Sequence, residues 1–162
     1  MPEEAGSEEV ARDLFRKAYE CQVKGEFDRA AELYKKSIET HATAEAHTFL
    51  GWTYSFMGRY EQAIEECRKA IEVDPEFGNP YNDIGAYLIE KGRVDEAIPW
   101  LEKVIQAKRY DNYCFPHYNL GRVWESKGDW AKAMECYLCS LKTNPDYTLA
   151  ARALNRLKGM LN

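Results

Sequence analysis

The chain has no run approaching the ~18 consecutive apolar residues of a membrane-spanning helix. Its amino end, Met1-Pro2-Glu3-Glu4, lacks the basic-then-apolar order of a secretion signal. Positive charge is in deficit: 22 Lys and Arg stand against 27 Asp and Glu, a net of −5. Neither a phosphate-backbone partner nor a membrane is therefore expected. Cysteine is sparse and odd in number, five in 162 residues, without a disulfide-rich spacing. A reducing compartment, the cytoplasm, is the expected setting. Histidine numbers three, proline six and glycine ten. The glycines are spread at regular intervals rather than gathered into a phosphate-cradling loop.

What is present is a helical pattern. Residues 50–75 read as two amphipathic helices joined by a tight turn. Gly58 stands where the first must stop, because glycine takes the left-handed conformation at little steric cost. Tyr60, Ala63, Ile64, Cys67, Ala70 and Ile71 then recur at threes and fours, one apolar helical face. Gly51 and Ala63 are small where two helix backbones come close. Pro75 lies just past the second helix and bars its continuation.

The spacing repeats. Gly51 is echoed at Gly85 and Gly121, Ala63 at Ala30, Ala97 and Ala133, and Gly58 at Gly25, Gly92 and Gly128, in steps of 33, 34 and 36 residues. A period of this length signals a helical array. Leu50, Gly51, Tyr54, Gly58, Tyr60, Ala63, Ala70 and Pro75 together resemble the signature of the tetratricopeptide repeat family. The resemblance covers roughly residues 11–145. It implies an all-α, right-handed superhelical solenoid of antiparallel helix pairs, about nine helices in all, whose stacked units supply the core no single unit has.

The expected layout is a lead-in over 1–10, repeats over 11–43, 44–77, 78–111 and 112–147, and a capping helix over 148–162. Ser7 is placed to cap the first helix. The first repeat's second helix carries Phe27, Ala30, Ala31, Tyr34 and Ile38. Pro80 and Pro116 suit the first turns of their helices, and Pro99 falls inside one. The longest step predicts a longer loop around Tyr110–Tyr113. Leu149, Ala150, Ala153, Leu154, Leu157 and Leu161 read as the apolar stripe of the cap, with Arg152, Arg156 and Lys158 outward.

Chemistry is thin. Cys114, His117, Cys136 and Cys139 satisfy the arithmetic of a zinc site, C-x2-H-x18-C-x2-C. The helical frame disfavours it: Cys136 should face the level of Gly121, ~6 Å along the axis from His117 at 1.5 Å per residue. Neither a metal nor a cofactor is expected. His47 and His117 share a repeat position that favours packing, and no nucleophile–base pair is set beside them, so no enzyme is expected. Glu65, Glu66, Arg68 and Lys69 read as a solvated outer face.

In the family, first helices line a concave groove. Carried over by position, the groove residues are Arg12, Phe15, Tyr19 and Gln22, then Glu45, Thr48, Phe49, Trp52, Ser55 and Phe56, then Asn79, Asn82, Asp83, Ala86 and Ile89, then Phe115, Tyr118, Asn119, Arg122 and Glu125. Trp52 follows Gly51 by one residue, a rotation of about 100°, which turns it from the hairpin core to the concavity. The aromatic richness of the first half points to a binding surface, while Phe49 and Phe56 could instead fill the space between repeats. The clamp of Lys and Asn with which co-chaperone members hold chaperone tails is absent, since Phe15, Tyr19 and Phe49, or Thr48, Trp52 and Asp83, stand at its positions.

The resemblance thus implies a protein-interaction module, an adaptor or scaffold, binding a peptide or helix of another protein. Phe15, Tyr19, Trp52 and Tyr118 would be its anchors, and Asn82, Asn119 and Arg122 its polar contacts. Two alternatives stay open: a small bacterial secretion-type chaperone, and a scaffold that self-assembles weakly through its terminal repeats.

Overall fold

The computed structural model describes residues 2–162, with side chains from residue 5 onward. Among the described residues there are nine helices and no strand: α1 (Pro2–Val23), α2 (Phe27–Thr40), α3 (Ala44–Phe56), α4 (Tyr60–Val73), α5 (Asn79–Glu90), α6 (Val94–Gln106), α7 (Cys114–Ser126), α8 (Trp130–Thr143) and α9 (Thr148–Leu161). The class is all-α, four helix pairs followed by one more helix.

Each pair turns at a glycine in the left-handed region: Gly25, Gly58, Gly92 and Gly128 have φ of 81°, 72°, 75° and 76°. At the second turn the Arg59 amide reaches back to the Tyr54 carbonyl at 2.9 Å and the Gly58 amide to Ser55 at 3.0 Å. This ties up the last carbonyls of α3. Helix starts use side-chain caps where the sequence offers one: Thr43 accepts from the Ala46 amide and Asp129 from the Lys132 amide, each at 3.1 Å. The α6–α7 connection, residues 107–113, is the longest between pairs, as the glycine spacing predicts. Pro99 sits inside α6.

The first helix departs from expectation. It begins at Pro2, so Ser7 lies within it and is not its cap. Proline is well suited to a first helical position, and the Glu-rich stretch behind it favours a helix amino end.

The chain packs as two units, Met1–Asp83 and Ile84–Asn162. In the first, Ala18, Ala30, Tyr34, Leu50, Tyr54, Ala63, Cys67 and Ala70 form the core. A Cβ on Gly51 would come within 2.9 Å of the Ala63 carbonyl and 3.3 Å of Cys67 Sγ, so α3 and α4 meet backbone to backbone there. In the second, Ile84, Leu88, Leu101, Val104, Leu120 and Val123 are buried. Ala133, Tyr137, Ala153, Leu154 and Leu157 make a cluster that α9 closes. The stripe of α9 is narrower than its sequence suggests: Leu149 and Leu161 are exposed. They lie at its two ends.

Two serines tie helix pairs in the same way. Ser37 Oγ donates to the Ala11 carbonyl and Ser140 Oγ to the Cys114 carbonyl, both at 2.7 Å.

Candidate functional site

The first unit carries a continuous row of aromatic rings. Phe15 and Tyr19, four residues apart on α1, share a face. Phe49 of α3 meets both, with centroids 5.1 and 5.9 Å away in edge-to-face contact. Trp52 lies 5.6 Å beyond Phe49, and Phe56 5.3 Å beyond Trp52. Phe27, the first residue of α2, stacks on Phe56 at 5.3 Å. Spacing along α3 explains the row: residues 49, 52 and 56 recur at three and four, one stripe of a helix.

The row is anchored below and open above. Tyr34 is fully buried and packs on Phe15 at 5.3 Å. Burial pushes its phenol well above the ordinary range. Phe15 and Phe49 are half-buried, whereas Tyr19, Trp52 and Phe56 are 44%, 40% and 54% exposed. Phe49 thus combines groove and packing roles, and Phe56 is mostly outside. A recess lies at each end of the row. One, of about 510 Å³, is lined by Glu8, Arg12, Phe15, His41, Glu45 and Phe49 among others. The other, of about 290 Å³, is lined by Tyr19, Gln22, Val23, Gly25, Phe27, Trp52 and Phe56.

The polar residues expected beside the rings are placed differently. Asn82 is buried and its side chain hydrogen-bonds Asp83. Burial raises the Asp83 carboxyl to about 7 against that bond. In the second unit Asn119 is buried too and accepts from Arg122 at 3.4 Å. Arg122, expected to offer its charge to a ligand, donates to Glu90 Oε1 at 2.7 Å. Phe115 and Tyr118 meet Tyr147 at 5.3 and 5.4 Å, and Tyr118 also leans on Tyr137 at 5.7 Å. Glu125 accepts from the Tyr137 hydroxyl at 2.6 Å and from both Arg156 nitrogens. Arg156, read as an outward residue, therefore joins α9 to α7. The Arg156 bond leads in holding Glu125 below the usual carboxylate range; burial opposes it and Tyr137 adds to it.

The outer face also holds a surprise. Glu66, read as solvated, is largely covered and lies 2.7 Å from His47 Nδ1, with Lys69 at 2.8 Å on its other oxygen. Burial alone would raise its carboxyl; the bonds from His47 and Lys69 outweigh that and leave it lowered. His47 is thus a packing residue with a carboxylate partner. His117 is half-buried, and burial lowers its pKa. Cys114 is buried, Cys136 partly so and Cys139 exposed. No group of three metal-ligating side chains is close enough to hold an ion among the described residues. No helix of the described residues is long and apolar enough to cross a membrane.

Phe27, Gln22 and Tyr147 matter more here than sequence reasoning assigned. Phe27 reads as one more core position of α2, and only its place two residues after the turn glycine hints that it caps the row. Tyr147 follows Pro145, the last signature residue of the fourth repeat, and carries no signal.

Sequence models of the tetratricopeptide repeat match residues 44–77 and 79–111. The chain is 32% identical over 143 residues to the uncharacterized protein ycf37 of Guillardia theta, an alignment covering 82% of this chain and 79% of that protein. It is 39% identical over 81 residues to an SGT1 homolog of Oryza sativa subsp. japonica, covering 49% of this chain and 22% of that protein. It spans about a quarter or less of the length of this and a further curated relative. Among solved structures, that of Pseudomonas aeruginosa pilF superposes with a TM-score of 0.86 at 25% identity, covering 94% of this chain and 69% of the other. Turn glycines, close-packed helix pairs, the two sequence matches and the ycf37 relative agree, and the chain belongs to the tetratricopeptide repeat family.

Proposed function

We propose that this chain is a non-enzymatic interaction module that holds a peptide segment of a partner protein along the α1–α3 face. The aromatic row carries the reading. Three of its rings are between 40% and 54% exposed, side by side, on a base of buried rings. Solvated aromatic rows on a rigid base are where a few residues supply most of the energy of an interface. The recesses at its ends give a bound segment two places to insert side chains. The burial of Asn82 and Asn119 and the Arg122–Glu90 pair make these polar groups secondary. Relatives in this family are generally protein-binding scaffolds rather than enzymes, which supports the same reading. The free thiols fit work in a reducing compartment such as the cytoplasm.

Charge adds a preference. Residues 1–77 hold 17 acidic and 10 basic side chains, a net of −7, so a peptide with apolar anchors and basic flanks is the favoured ligand. The test is to select short random-sequence peptides on the immobilised full chain and map their contacts by nuclear magnetic resonance. Selected peptides should perturb the Trp52 indole and the rings beside it. Peptides that bind tightly yet leave Trp52 undisturbed would refute the assignment.

A further inference from the structure

Among the described residues of the first unit, Gln22 is the one whose side chain helix packing leaves unfinished. It lies near the end of α1 and is 5% exposed. The Tyr34 hydroxyl donates to its Oε1 at 2.8 Å. Its Nε2 is buried without a hydrogen-bond partner. A buried amide group without a partner forfeits its hydration with no return. Reversing the amide only moves the vacancy, because Nε2 would then meet Tyr34 and Oε1 would stand alone.

This side chain is part of the wall of the 290 Å³ recess, where the other lining side chains are apolar or aromatic and none carries a charge. Pockets for small molecules run from ~300 to 1,000 Å³, so the recess suits one large side chain rather than a cofactor. Its rim is Tyr19, Trp52, Phe56 and Val23, each more than a third exposed.

We infer that this recess is a subsite for one large apolar side chain of a peptide, whose adjoining peptide group completes the hydrogen bonding of the Gln22 amide. The inference rests on the reading that the α1–α3 face holds a peptide. A secondary amide is the matching chemistry because it offers both a carbonyl acceptor and an N–H donor, and so satisfies either orientation of Gln22. A neutral group also suits a wall without charge, where a carboxylate would be left desolvated and unpaired. Nε2 is screened from water in the free protein, so a ligand that reaches it must displace part of the recess wall.

The test uses two probes on the full chain, followed by nuclear magnetic resonance: N-acetyl-phenylalanine N-methylamide, and ethylbenzene, which has the ring without the peptide group. The amide probe should move the Trp52 indole signal and shift a Gln22 side-chain amide proton downfield, as a new hydrogen bond does; ethylbenzene should move the indole, and Gln22 only by the ring-current change that both rings share. Gln22→Met should weaken the amide probe about five-fold, the scale of one net hydrogen bond, and leave ethylbenzene unchanged. Wild-type shifts are read directly, so the answer does not depend on how the variant folds. Equal Gln22 shifts with both probes would remove the peptide-group contact, while the peptide-binding reading would still be judged by the selected peptides. Silence of Trp52 toward both probes would overturn the subsite. Shifts of these signals on simple dilution, without a probe, would give the recess to a second copy of the chain and overturn it as well.

Discussion

Gly121 faces the ring of Tyr137, and a Cβ there would run into it. The ring cannot retreat easily, since it is 1% exposed and its hydroxyl is held by Glu125 at 2.6 Å. Gly121→Ala should therefore destabilise the protein by about 1–3 kcal/mol, the usual cost of overpacking, read as a lower denaturant midpoint. Asp83 offers a different residue-scale test. Its carboxyl titrates near 7 in the folded protein against an ordinary 3.8. Between those values the folded state keeps a proton that the unfolded chain has lost. Stability must then fall as pH rises through this window and level off above it. Asp83→Asn removes that fall, so the variant's stability relative to wild type should be greater at pH 8 than at pH 5. A pH-independent difference would show that Asp83 titrates normally.

At the scale of the helix, α9 shows which forces hold an element. Leu157 is fully buried in the cluster with Ala133, Tyr137 and Leu154, whereas the Arg156 side chain, though bonded to Glu125, is 51% exposed. Truncating a buried leucine typically costs ~2–5 kcal/mol, and an exposed ion pair is worth under ~1. Leu157→Ala should thus lower thermal stability several-fold more than Arg156→Ala, and comparable losses would mean that the ion pair, not packing, seats the helix. The helices themselves were legible in sequence because glycine stops and apolar spacing are local signals, readable at Gly58 and along Tyr60–Ile71. The amino end of α1 was not, because Ser7 is an equally good cap and interior residue until something fixes the helix start. The ties from Ser37 and Ser140 to carbonyls 26 residues earlier were hidden for another reason. Their partners are backbone atoms, which leave no mark in sequence.

At the scale of the molecule the acidic and basic residues are unevenly shared: residues 1–77 carry −7 and residues 78–162, with 10 acidic and 12 basic side chains, carry +2. Association of a basic selected peptide should slow as salt is raised, because screening shortens the reach of this charge; a salt-independent rate would show that charge plays no part. The aromatic part of the candidate site was readable from the sequence, since rings at 15, 19, 49, 52 and 56 are not demanded by the repeat pattern. The polar part was not. Whether Asn82, Asn119 or Arg122 faces a ligand depends on neighbours such as Asp83 and Glu90, which the pattern does not place. The central claim is that the exposed ring of Trp52 binds a partner rather than holding the fold. Its most direct test is calorimetric titration of one selected peptide into wild type and Trp52→Ala, with melting curves of both. Loss of the ring's two contacts, with Phe49 and Phe56, at ~0.5–1.5 kcal/mol each beyond the area they bury, should cost about 1–3 kcal/mol of stability, a fall of roughly 2–12 °C for a chain of this size. Loss of a hot-spot ring should cost at least ~2 kcal/mol of binding, about thirty-fold in Kd. An unchanged Kd, or a variant that no longer folds, would contradict the account.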